Sequence, residues 1–196
     1  MRQTAPMPDL ATEAWQSLCG AVSLLVGRPE GMRRFRLTIT GFWHSFAAIL
    51  AVLPVFLAYL AAERAVSAAN GAEDGLPAGA RWFGLAIDWI DMPLAMLGLA
   101  LLLGFNRTYV PFVVAYNWGS VIAYALLCLP MLLLGAGAIS TDLAAFSTLI
   151  LLGVVMRYRW FTARVALGAG AVTAFGIALF DLVLSLVLIG LIERTI

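Results

Sequence analysis

The sequence contains no lysine, one histidine (His44) and two cysteines, Cys19 and Cys128. A lone histidine cannot assemble a metal site or a catalytic triad, and His44 reads as a hydrogen-bonded residue near one end of an apolar run. The cysteines lack ligand spacing, and Cys128, inside an apolar stretch, reads as a small core residue. No disulfide between them is expected, because the topology below puts Cys19 on the reducing side. There is no Gly-rich phosphate loop, no GxSxG and no HExxH, and the serines and threonines have no paired base. The expectation is a non-enzymatic protein without catalytic residues, metal or cofactor. Charge is also scarce, at 12% of residues against about 25% in soluble domains. The net charge of +1 gives no reason to expect a nucleic-acid partner.

What the chain has in abundance is apolar surface. It is 63% hydrophobic, more than a soluble fold of 196 residues can hide. A bilayer accepts such surface, provided that each span of about 20 residues satisfies its own backbone as a helix. Apolar runs predict spans over about 39–62, 82–105, 109–134, 142–160 and 166–192. The apolar stretch of the fourth is short and ends at Arg157, with Arg157 and Arg159 expected to snorkel toward the headgroups. Ser140 or Thr141 is the candidate cap of that helix. Asn70-Gly71, Gly75 and Pro77 make the loop before the second span a series of turns.

The arginines orient these spans. Arg2, Arg28, Arg33, Arg34, Arg36, Arg107, Arg157, Arg159 and Arg164 fall on one side, and Arg64, Arg81 and Arg194 on the other. The positive-inside rule then predicts a multi-pass bacterial inner-membrane protein, N-terminus cytoplasmic and C-terminus periplasmic. Residues 1–36 read as a cytoplasmic segment and 37–196 as the five-span domain. Within the first part, Leu10, Ala14, Trp15, Leu18, Val22 and Leu25 recur at helical spacing. They predict an amphipathic interfacial helix over about 9–27, with Trp15 and Leu18 buried against lipid or a partner. The fold class is therefore an all-α transmembrane helical bundle preceded by a surface helix.

Polar residues inside spans are the candidate sites, because a charge at bilayer depth costs about 2.5–3.5 kcal/mol and needs a partner or a wet cavity. Asp88 and Asp91 share a helix face, Asn117 lies near the middle of the third span, and Asp181 extends a small-residue stripe in the fifth. They read either as interhelical hydrogen-bonding groups or as an ion or proton path. Arg33, Arg34, Arg36, Arg157, Arg159 and Arg164 are candidate contacts to anionic lipid. The partners implied are the bilayer and a membrane protein or second copy of the chain.

Gly41-Phe42-Trp43-His44-Ser45-Phe46, Ala115-Tyr116-Asn117-Trp118 and Tyr158-Arg159-Trp160-Phe161-Thr162-Ala163-Arg164, in that order, resemble a family of alphaproteobacterial inner-membrane proteins with no assigned activity. Members often carry Arg at the position of His44. A cytoplasmic segment followed by five spans also resembles, in architecture, the Yip-domain membrane proteins. The absence of catalytic chemistry, the small-residue packing stripes and the amphipathic N-terminal helix point to a membrane organiser, scaffold or complex subunit. The intramembrane acids leave open a transporter or channel component.

Overall fold

A computed structural model describes residues 9–71 and 77–195. Arg2 and Gly75, used in the readings above, lie outside them. The described residues form seven α-helices and no strand. These are α1 (Leu10–Leu25), α2 (Ile39–Phe46), α3 (Ile49–Ala69), α4 (Ala78–Leu103), α5 (Tyr109–Gly135), α6 (Thr141–Leu167) and α7 (Ala171–Thr195). A short 3₁₀ segment, Pro29–Arg34, follows α1. Five candidate spans are long and apolar enough to cross a membrane, the first comprising α2 and α3 together. The protein is a multi-pass integral membrane protein of the all-α class.

The helix ends follow local chemistry. Thr38 and Ser140 accept backbone N–H bonds at the starts of α2 and α6, from Gly41 and Leu143. Gly104 and Gly168 close α4 and α6 in the left-handed region, at φ +79° and +66°, where a side chain would be strained. The central element is α5, about 40 Å long at 1.5 Å per residue. It packs on α3 and α6 most extensively and also touches α1, α2 and α4. Its residues from Phe112 to Ser120 are buried without interruption, as expected of a helix surrounded on every side. The contact with α6 is close because position 119 is glycine. A Cβ there would lie 2.7 Å from the hydroxyl oxygen of the wholly buried Tyr158.

Two elements depart from the sequence reading. The first span is not one straight helix: it breaks at Ala47 and Ala48, seven residues ahead of Pro54 when counted from Ala47, so the proline ring is not at the break. Side chains satisfy carbonyls that the break disturbs. The Ser45 hydroxyl donates to the Phe42 carbonyl at 2.7 Å, and the Trp89 indole N–H donates to the Phe46 carbonyl at 3.2 Å. The fourth span does not end near Trp160. The helix continues to Leu167, which places Arg159 two turns inside it.

The surface helix is present as α1, but only part of its apolar stripe docks on the bundle: Ala14, Leu18 and Leu25 pack against the core. Glu13, Ser17, Gly20, Ala21 and Leu24 are the buried face. Gly20 and Gly31 abut so closely that a Cβ on either would lie within 3 Å of the other's carbonyl oxygen. Leu10, Trp15 and Val22 face outward, Trp15 at 68% exposure, and Leu18 is half-buried. The small residues of this face let α1 approach α5 and α6, with Leu24 wholly buried beside them, while Leu10, Trp15 and Val22 are turned to the surroundings.

Candidate functional site

The polar residues of the spans collect where α4, α5, α6 and α7 meet. Arg159 of α6 points into the bundle, with 12% of its side chain exposed. Its Nε lies 3.4 Å from Asp181 Oδ2 of α7. Its two terminal nitrogens donate to the Tyr116 carbonyl at 3.3 Å and to Ser120 Oγ at 3.0 Å. The guanidinium carbon sits 3.8 Å from the centroid of the Tyr116 ring, a cation–π arrangement. The Tyr116 hydroxyl in turn donates to Asp181 Oδ1 at 2.6 Å. Every nitrogen of Arg159 and both oxygens of Asp181 thus have partners, which a buried ion pair requires if it is not to destabilise the fold.

A neighbouring group continues the polar seam. Asp88 of α4 accepts from the Tyr124 hydroxyl of α5 and, at 3.3 Å, from the Ser185 hydroxyl of α7. Tyr116 and Tyr124 are about two turns apart on α5, and Asp181 and Ser185 one turn apart on α7, so each helix presents one face to both groups. The void beside Arg159, Tyr116 and Asp181 measures about 10 Å³, room for one water at most.

The four candidate residues therefore do not form one cluster. Asp88 and Asp181 lie along the seam. Asn117, one residue past Tyr116, is rotated by about 100° on the helix and faces α2, where its amide donates to Ser45 Oγ at 3.0 Å. Asp91 accepts from the backbone N–H of Met92 with one oxygen, and its other carboxylate oxygen is buried with no hydrogen-bond partner. No group of three His, Cys, Asp or Glu residues able to hold a metal ion occurs among the described residues.

The arginines proposed for lipid also divide. Arg159 is the correction: its charge is taken up by Asp181, not by headgroups. Arg157 donates to the Leu25 carbonyl at the C-terminal end of α1, at 3.0 Å, where a cation suits the helix dipole. Arg36 pairs with Glu13 at 3.2 Å, and Glu13 also holds His44 Nδ1 at 3.1 Å. Arg33, Arg34 and Arg164 are exposed, Arg164 lying 5.5 Å over the Trp160 ring.

Arg159, Tyr116, Tyr124, Ser120 and Ser185 make up the rest of the seam. A signal for the ion pair was present in the sequence. Spans four and five are antiparallel and joined by a three-residue link, 168–170. Arg159 and Asp181 are equidistant from Gly170, eleven residues on either side, so a hairpin brings them to the same depth. No family model, curated protein or solved structure matches the chain.

Proposed function

We propose that this protein is a non-enzymatic scaffold or membrane-organising subunit of a complex in a bacterial inner membrane, with its N-terminus in the cytoplasm. One observation carries the reading: the Arg159–Asp181–Tyr116–Ser120 network is closed, with each polar atom spent on a neighbouring helix and room beside it for one water at most. Such a network rigidifies helix packing. The orientation rests on the arginine asymmetry, and the location agrees with the resemblance to alphaproteobacterial inner-membrane proteins and, in architecture, to Yip-domain proteins.

The alternative is a transporter or channel component. It is favoured by the partnerless buried oxygen of Asp91 and by the excess of carboxylates, Asp88, Asp91 and Asp181, over the single cation Arg159 near them.

Asp88→Asn and Asp91→Asn decide between the two, because neither carboxylate is paired with Arg159 and an amide keeps shape and hydrogen bonding but cannot exchange a proton. A scaffold keeps its fold, its partner in a mild-detergent native purification and its ability to complement a deletion strain. Folded variants that lose complementation would reject the scaffold reading in favour of transport.

A further inference from the structure

Between α1 and the break separating α2 from α3 lies a cavity of about 440 Å³. That volume, and a lining that is apolar apart from two residues, match ligand sites of small amphiphiles. Leu10 and Leu18 form one wall, Leu50 the other, and Trp118 is also in the lining. Trp118 lies nine residues into α5, about 14 Å along it from Tyr109, so the cavity lies beside the body of a candidate span rather than at its end. The polar lining residues are Glu13 and His44.

Charge identifies what fits. The basic segment runs along α1 from Gly20, against which Arg34 lies, to Glu13, where Arg36 lands. Arg36 thus stands at the polar end of the cavity, paired with the carboxylate of Glu13, and Arg34 lies two turns along α1 from it, against Gly20. His44 is anchored to that carboxylate through Nδ1, so its imidazolium form has an Nε2–H free to donate to a ligand oxygen. The outward residues beside the cavity, Leu10 and Leu50, are 61% and 65% exposed and join it to the surface that the spans turn to lipid.

We propose that this cavity binds one anionic phospholipid, an acyl chain lying between α1 and the break and the phosphodiester at His44, Arg36 and Arg34. The site is separate from the Arg159 seam and stands whether the protein is a scaffold or a transporter.

The test uses the full chain purified in mild detergent, exchanged with dioleoyl phosphatidylglycerol or dioleoyl phosphatidylcholine, and read by native mass spectrometry and thermal unfolding. The expected result is one retained phosphatidylglycerol per chain, with stabilisation by phosphatidylglycerol and not by phosphatidylcholine. Ala47→Phe fills the cavity from an exposed lining position and should weaken retention about tenfold while unfolding like the wild type without lipid. Ala11→Phe does the same from the α1 side, so a folding defect in one variant leaves the other decisive. Equal retention by wild type and both variants, or equal stabilisation by the two lipids, overturns the proposal. So does a lipid-free dimer that either variant dissociates, which would make the cavity a contact between copies.

Discussion

The molecule contains two ionic clusters built from similar parts in different surroundings. At the rim, Glu13 of α1, itself 6% exposed, is held by Arg36 and His44, whose side chains are 24% and 32% exposed. Inside, Arg159 and Asp181 are each 12% exposed and joined by hydroxyl and carbonyl groups from α5. If Glu13 is lost, water can take its place beside the partly exposed Arg36 and His44, whereas in the seam both members are buried and the loss of either leaves a charge with nothing to solvate it. The comparison teaches that the two clusters differ in the consequence of loss more than in the number of bonds. The outer one latches a peripheral helix and the inner one fixes the bundle.

Substitutions sharpen this contrast. Arg159→Met should have the largest effect, about 3–5 kcal/mol, because it strands Asp181 in the bundle. Denaturation of the purified protein in mixed micelles measures it, and the double variant with Asp181→Leu should recover most of the loss. Gly119→Ala should cost about 1–3 kcal/mol by overpacking against Tyr158, and Tyr158→Phe should restore part of it. Glu13→Gln should cost only about 1 kcal/mol of global stability. Its effect should appear instead as faster hydrogen exchange confined to residues 10–25. A Glu13→Gln variant as unstable as Arg159→Met would erase the distinction between the two clusters.

The spans were legible because length and apolar content are properties of each segment taken alone. The fourth was ended too early, since Arg157 and Arg159 look like a membrane boundary until Asp181 is known to face Arg159. That knowledge requires two helices at once. The break after Phe46 was not legible, because the Trp89 indole that caps it comes from forty-three residues away. Among the candidate residues, Asp88 and Asp181 share the seam, but Asn117 turns from it because adjacent helical residues differ by about 100°. On α1 the periodicity was read correctly as helix, yet the docking face centres on Ser17, Gly20, Ala21 and Leu24, beside the apolar stripe rather than on it. In a membrane protein large apolar residues gain little from facing protein instead of lipid, so close approach decides the packing.

The symmetry of Arg159 and Asp181 about Gly170 also bears on how the chain enters the bilayer during synthesis. Alone, either span would carry a charge into hydrocarbon at about 2.5–3.5 kcal/mol. The three-residue link leaves no slack for one span to wait far from the other. The physics therefore favours entry of α6 and α7 as a pre-paired hairpin, arginine already matched to aspartate, which later docks its polar side against the tyrosines of a resident α5.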